Sequence, residues 1–413
     1  MKNILFVSVA FPPKSDPECL QTAKYFHHLQ KHKDLKIDVV TSAIPTLYMP
    51  YDKHLEVYAE GLNQLVSVKL RENRYINYLR NRLGLESFVF PDVKHSFHKQ
   101  FRKVIKGLRQ KPDLIYSRAD PKSSIIMAYK LCQYFKVPWI LHMSDPWADC
   151  PLQCMTGRNY KKHDDWERKC FEAANLISLT SIPTIEFYKK KYPELSEKFI
   201  FYPNVYENSN YDKNISRYLK NDNKKFRIVY TGGLAGSRSP EYFLEPLKQL
   251  INDKPALAES MEVIFAGDVD AKNRAVFQNY SLPCVNWIGK ISFKEALELQ
   301  QSANYLLLID SPIKDVSKSM FFPSKLLDYM VARKRILAIT TKGSAAYEVM
   351  QDLKGDVCSY NETEEIKNSI IRTYDAFQKG DNNYLANDKP PEKYEASWNA
   401  DRLYNQIVEL LNE

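Results

Sequence analysis

Phe322-Pro323-Ser324-Lys325-Leu326-Leu327-Asp328-Tyr329-Met330 lies between two apolar runs, Tyr305-Leu306-Leu307-Leu308-Ile309 and Ile336-Leu337-Ala338-Ile339-Thr340. Both runs read as buried strands of a parallel sheet, and the stretch between them as the loop and helix that connect them. Pro323 suits the start of that helix, which predicts Ser324 and Lys325 in its first turn. A helix N-terminus presents unpaired N–H groups and partial positive charge, so it suits an anion such as phosphate. Lys325 adds a full charge there. Asp328, one turn further on the same face, offers a carboxylate to sugar hydroxyls. Cation and carboxylate at that spacing describe a site for a nucleotide diphosphate, although a solvated surface helix carries the same pattern.

Working outward, the alternation of strand and helix signals extends over most of the chain. Strands are predicted at 4–9, 37–41, 114–116, 139–142, 176–180 and 199–202, with helices at 20–30 and 124–134 among them. The alternation stops in the polar stretch 204–225 and resumes with strands at 226–230, 263–266, 285–288, 305–309 and 336–340. Apolar strands alternating with helices indicate parallel sheets covered on both faces. The expected fold is α/β: two Rossmann-like doubly wound domains facing across a cleft. The boundaries are 1–205, a linker at 206–225, and a second domain at 226–394, with a final helix within 395–413 that packs back on the first domain.

Composition narrows the function classes. The chain has 413 residues, 44% hydrophobic and 26% charged, which suits two domains rather than a disordered or membrane-spanning protein. Residues 1–10 read as a buried first strand rather than a signal peptide, because Phe11-Pro12-Pro13 follows without a small-residue cleavage site. No run approaches the roughly 18 apolar residues of a membrane span, so a cytoplasmic location is expected. Seven cysteines without paired spacing fit a reducing compartment. Cys150, Cys154, His163 and Cys170 are too loosely spaced for a zinc site and read as free thiols and a histidine; no metal is expected. The formal net charge of +9 points to an anionic partner. Two basic segments, 71–82 and 94–111, interleave Arg and Lys with aromatic and aliphatic residues, which suits an anionic membrane surface or equally a solvated face. No nucleic-acid-binding module is recognised.

Ligands of open parallel sheets bind beyond the carboxyl ends of the strands. After the strand ending at Tyr230, Gly232 and Gly233 let backbone N–H groups approach a phosphate, and Arg238 adds a bidentate donor. After the strand ending near Leu141, His142 and Asp145 are candidates for holding a hydroxyl and Trp147 for a stacking face; a satisfied core histidine is the plainer reading of His142. The loop Lys14-Ser15-Asp16 is a candidate acceptor contact, or a mere connector.

Together these pieces resemble the retaining glycosyltransferases of the two-Rossmann-domain GT-B architecture, family 4, over nearly the whole chain. The resemblance rests on Phe11-Pro12-Pro13, Asp145-Pro146-Trp147, Pro203-Asn204, Tyr230 to Leu234, Ala266-Gly267-Asp268, Trp287-Ile288-Gly289-Lys290 with Glu295, and Pro323 to Met330. It implies Arg238 and Lys325 as the phosphate-binding basic pair, with Lys more usual at the first position. It implies Asp328 at the second Glu of a paired-Glu motif; the first Glu falls at or near Met320. The glycine-rich acceptor loop is replaced by Ser15-Asp16-Pro17-Glu18.

The activity implied is transfer of a sugar from a nucleotide-diphosphate donor to a glycan or lipid-linked acceptor with retention, in capsule, O-antigen or other surface-glycan synthesis. The diphosphate would lie against Gly232, Gly233, Arg238, Ser324 and Lys325, and these groups would replace a metal, so no cofactor is expected. Arg238, Lys325, His142 and Asp145 are the expected catalytic residues, and Lys14, Ser15, Asp16 and Trp147 the acceptor contacts. A non-catalytic nucleotide-sugar-binding subunit and a sugar-nucleotide epimerase are the alternatives. The epimerase requires paired carboxylates, which the sequence alone does not display.

Overall fold

The computed structural model describes residues 1–47, 49–85, 89–151, 155–207, 225–312 and 320–412. The chain divides into two compact units, Met1–Glu207 with Lys393–Glu413, and Asn208–Glu392. Most of the expected linker, 208–224, lies outside the described residues, as does Cys154.

The first unit is built on seven parallel strands: β1 (Lys2–Val7), β2 (Leu35–Ser42), β3 (Gln64–Val68), β4 (Leu114–Ala119), β5 (Trp139–Met143), β6 (Leu176–Leu179) and β7 (Phe199–Phe201). Their order is β3-β2-β1-β4-β5-β6-β7. β1 shows why helices must cover both faces. Leu5 and Val7 enter one apolar cluster, with Ile125 and Leu131. Ile4 and Phe6 point the other way, into a cluster with Phe26 and Leu29. A central strand with period-two side chains, all apolar, can be satisfied only by two layers.

Six helices of this unit cover the sheet or line its rim: α1 (Pro17–Leu29), α2 (Arg74–Arg82), α3 (Phe101–Gly107), α4 (Ser123–Phe135), α5 (Gly157–Ala173) and α6 (Ile182–Lys191). The C-terminal helix, Ala396–Asn412, belongs to this unit and buries Leu403 and Ile407 in the same cluster as Phe26 and Leu29 of α1. His32 stacks on Tyr404 with ring centroids 3.9 Å apart, and the Tyr404 hydroxyl donates to Asp34.

The second unit repeats the plan with six parallel strands: β8 (Phe226–Thr231), β9 (Met261–Ala266), β10 (Val285–Trp287), β11 (Tyr305–Ile309), β12 (Arg335–Ile339) and β13 (Gly355–Cys358), in the order β10-β9-β8-β11-β12-β13. Both sheets therefore reverse direction between their first and fourth strands, at β1/β4 and at β8/β11. Such a switch point opens a crevice at the carboxyl ends, where doubly wound folds take their ligands. β3 and β13 lie at sheet edges and were not anticipated. β3 alternates exposed and covered residues, so its five residues lack the continuous apolar run that marks the central strands.

Candidate functional site

At the β8/β11 switch point the chain turns out of β8 through Gly232, whose φ is +123°. A Cβ there would lie 2.9 Å from the Lys325 Nζ, and a Cβ on Gly267 would lie 2.1 Å from the Gly232 carbonyl oxygen. Only glycine at both positions lets the two loops touch through their backbones while the lysine amine lies against them. The Gly232 N–H donates to the Ala266 carbonyl, which fixes the turn.

Lys325 begins the helix Lys325–Ala332, and Ser324 is its N-cap. Pro323 lies two residues before the first helical residue, just outside the cap, rather than at the start of the helix. Its carbonyl instead accepts from Leu326 N–H at 2.9 Å, and the Ser324 carbonyl from Leu327 N–H at 3.1 Å, a tight turn leading into the helix. The Lys325 amine donates to the Tyr230 hydroxyl at 2.7 Å and lies 4.1 Å from that ring's centre. The Tyr230 hydroxyl in turn donates to the Gly233 carbonyl at 2.9 Å. Tyr329 braces the same turn by accepting from Thr231 N–H and donating to the Leu307 carbonyl.

Arg238 completes the cationic pair. Its Nη2 lies 3.6 Å from Asp310 Oδ1, and its buried Nε has no hydrogen-bond partner among the described residues. Asp310, at the end of β11, also accepts from Ser311 N–H and Thr340 Oγ1. Burial and the neighbouring guanidinium hold the Lys325 amine well below the usual lysine range, while Asp310 opposes them. Two cations thus share one carboxylate beside a glycine turn. The structure brings Gly232, Arg238 and Lys325 together, with Gly233 and Ser324 adjacent in sequence. Asp328 lies in the first turn of the helix and is half-buried. Tyr230 and Asp310 are site residues that the sequence reading passed over. The signal for Asp310 was its position immediately after an apolar strand.

The β1/β4 switch point of the first unit carries a different cluster. Glu18, near the start of α1, accepts from Arg118 Nε at 2.7 Å and from Ser144 Oγ at 2.6 Å. Burial pushes its carboxyl up to about 7; Arg118 and Ser144 pull the other way and Asp120 adds to the rise. Lys122 bridges the Asp120 carboxylate and the Asp145 carbonyl. Asp145 is raised to about 6 by burial and by Asp120. Asp145 is therefore at a strand's carboxyl end as expected, but within a group of carboxyls that includes Glu18 and Asp120.

Five of the expected site residues, Trp147, His142, Lys14, Asp16 and Ser15, are engaged within the first unit itself. Trp147 is fully buried, its indole donating to His163 Nδ1 at 2.9 Å, so it offers no stacking face. His142 is also fully buried; its Nδ1 pairs with Ser178 Oγ at 2.9 Å while its Nε2 has no hydrogen-bond partner among the described residues, and burial and the Arg118 charge hold its basicity well below the usual histidine range. Lys14 turns inward, donating to Thr41 Oγ1 and to the carbonyl and hydroxyl of Ser42, and burial lowers it to about 8. Asp16 caps α1 by accepting from Cys19 N–H at 2.7 Å, and the Ser15 N–H donates to the Pro50 carbonyl. That loop serves the first unit's own architecture.

Cys150 and Cys170 are buried thiols outside any disulfide, and His163 is engaged by Trp147. Among the described residues one trio, Asp149, Asp164 and Glu167, has metal-like spacing. Its centre is filled by the Lys191 ammonium, at 2.6, 2.5 and 2.7 Å from the three carboxylates. No helix of the described residues is long and apolar enough to cross a membrane.

No known protein family's sequence pattern matches the chain, and no curated protein does either. Solved structures do. Anabaena HepE, solved with UDP and glucose, aligns over 100% of both chains with a TM-score of 0.58 and 13% identity. Sucrose-phosphate synthase from Thermosynechococcus elongatus covers 99% of this chain and 100% of its own, with a TM-score of 0.64 and 14% identity. UDP-GlcNAc 2-epimerase from Neisseria meningitidis, bound to UDP-GlcNAc, covers 99% and 100% with a TM-score of 0.56 and 11% identity. The fold is one that these transferases and the epimerase share: two Rossmann-like units, each built on a parallel sheet, the GT-B fold.

Proposed function

We propose that the protein is a metal-independent, retaining glycosyltransferase of the family 4 type that takes a nucleotide-diphosphate sugar. The observation that carries this reading is the meeting of Lys325, Arg238 and the Gly232 turn at the β8/β11 switch point. The diphosphate lies on the Gly232-Gly233 backbone and between the two cations, with Ser324 at the helix end. Asp328 takes the ribose hydroxyls. As the glycosidic bond to the diphosphate breaks, charge grows on the leaving oxygens, and the two cations stabilise it in place of a metal. The acceptor hydroxyl, from a glycan or lipid-linked saccharide, attacks on the face the diphosphate leaves. The acceptor is held by the first unit, where Asp145 stands with Glu18 and Asp120. Solved GT-B structures with UDP or UDP-sugars support the donor class, and the setting is cytoplasmic assembly of surface glycans.

A second reading has one observation in its favour. Epimerisation of a sugar nucleotide needs paired carboxyl groups for proton transfer, and the Asp120 charge acts on the buried Asp145 carboxyl, with Lys122 donating to the Asp120 carboxylate and to the Asp145 main-chain carbonyl.

One experiment separates the two. The protein is incubated with UDP-, GDP-, ADP- and CMP-sugars, with and without acceptor glycans, and the products are followed by NMR. Transfer that needs an acceptor and keeps the anomeric configuration supports the first reading; an acceptor-independent epimer overturns it. Lys325→Ala and Arg238→Ala should each lose roughly 100-fold or more in transfer while melting near the wild-type temperature. Wild-type turnover in both variants would remove the diphosphate assignment.

A further inference from the structure

We propose that Asp310 is a positioning residue: it holds Arg238 in the empty donor site and makes the nucleoside diphosphate leave more readily once its sugar has gone. The inference rests on the diphosphate reading above and goes further, to the step after transfer. Asp310 stands beside Arg238 and acts on Lys325. A carboxylate next to two cations that await an anion repels the ligand they attract, so its place there calls for a physical account.

Asp310 is fixed and Arg238 is not. The Asp310 N–H donates to the Ile339 carbonyl at 3.0 Å, which continues the pairing of β11 with β12 by one residue. Its Oδ1 accepts from Ser311 N–H at 2.8 Å and its Oδ2 from Thr340 Oγ1 at 3.3 Å. The Thr340 hydroxyl is itself held by Ser344 Oγ at 3.0 Å. Both carboxylate oxygens are thus engaged by the sheet edge, and the side chain is only 12% exposed. The Arg238 side chain is 32% exposed, and its Nη2 stands 3.6 Å from Oδ1, just beyond hydrogen-bond length. Its buried Nε has no partner among the described residues. A guanidinium that is attracted to Asp310 but not bonded to it can turn to another acceptor without breaking a hydrogen bond.

Coupling between charges is reciprocal. In the empty site the carboxylate supports the cations: burial and the guanidinium work against the Lys325 ammonium, and Asp310 works for it. With a diphosphate on the two cations, the same carboxylate faces a like charge and cancels part of the attraction. The cancellation is larger for product than for donor. A terminal phosphate loses its second proton near pH 6, so at neutral pH the nucleoside diphosphate carries about one more negative charge than its sugar ester. The cations that stabilise the departing oxygens would therefore hold the product hardest, and product release limits turnover in many enzymes. Asp310 weakens that hold selectively and takes Arg238 back as the product goes.

The test is calorimetric titration of the full chain and of its Asp310→Asn variant with UDP, GDP and ADP and with the glucose ester of each. Asparagine keeps an acceptor for Ser311 N–H, and its amide donates to the Thr340 hydroxyl, which rotates to accept, so the variant should melt near the wild-type temperature. With the base that the wild type binds, the variant should hold the nucleoside diphosphate about tenfold tighter or more, and the glucose ester should gain less. The variant should also take up more proton on binding, because its free Lys325 amine lacks the supporting charge. In transfer assays its kcat and donor KM should fall together, as slowed release requires. Unchanged or weaker binding of the nucleoside diphosphate, or equal tightening of both ligands, overturns the inference and leaves the donor site standing. Binding of none of these ligands by the wild type removes the diphosphate reading and this inference with it. Should Asp310→Asn not fold, Asp310→Ser removes the same charge, keeps an oxygen for Ser311 N–H, and carries the same expected and overturning results.

Discussion

Lys325 holds a buried amine that donates to a neutral group, the Tyr230 hydroxyl, with Arg238 nearby and Asp310 as the balancing carboxylate. Burial and the guanidinium disfavour its charged form; an anion seated on it would favour that form. Diphosphate binding should therefore raise the Lys325 pKa and take up a proton. The sign follows: donor affinity is greatest below the lowered pKa of the free protein and falls as pH rises through it, approaching tenfold per pH unit. Calorimetric titration with the nucleotide in buffers of different ionisation enthalpy reads the proton directly. Equal heats in all buffers and a flat pH profile would contradict the assignment. At this scale Gly232 and Lys325 could be picked out because one directly follows a strand and the other opens a helix, and Arg238 because it lies in the loop after that strand. Asp310 and Tyr230 could not. Tyr230 looks like a core strand residue, and only the fold shows that its hydroxyl reaches the end of the sheet.

Between α5 and α6, Lys191 joins Asp149, Asp164 and Glu167, and Tyr188 and Tyr192 donate to the Glu167 carboxylate. Lys191→Met would leave Glu167 buried without its counter-ion, so it should destabilise the first unit by about 3–5 kcal/mol. Denaturant unfolding checks this; a change below about 1 kcal/mol would mean the carboxylates find other partners or water. No spacing rule in α5 or α6 announces this knot, because its members come from a loop and two helices. The opposite holds for α2. Its arginines and aromatics were visible as a string of letters, but whether the apolar members faced in or out depended on what packs beneath them. Asn77, rather than Ile76 or Leu79, is the residue turned inward.

For the molecule as a whole, the C-terminal helix is a structural member of the first unit although it follows the second in sequence. Its Leu403 and Ile407 complete the layer over Phe26 and Leu29. Removing residues 396–413 uncovers that layer, so backbone amides of β1, β2 and β4 should exchange with solvent much faster. Those of β8, β9 and β11 should keep their protection. Equal loss in both sheets, measured by hydrogen exchange, would show that the units do not unfold separately.

The strand–helix alternation and the apolar central strands were enough to determine two doubly wound sheets, because a strand that is apolar on both faces has one way to be satisfied. The edge strands β3 and β13 escaped notice, since half-exposed strands carry no such constraint. The sequence also pointed to Gly232, Arg238 and Lys325, which the structure brings together, because their candidacy depends on local position near strand ends. Only the tertiary structure decided which polar residues are reachable. His142, Lys14 and Trp147 carry functional chemistry as residue types but lie fully covered, with His142 Nδ1 paired to Ser178, Lys14 to Thr41 and Ser42, and the Trp147 indole to His163. Glu18, Asp120 and Asp145 are 102 and 25 residues apart along the chain, and they meet because parallel strands bring their carboxyl ends to one edge. Burial and long-range proximity are properties of the packed sheet, and no window of sequence contains them.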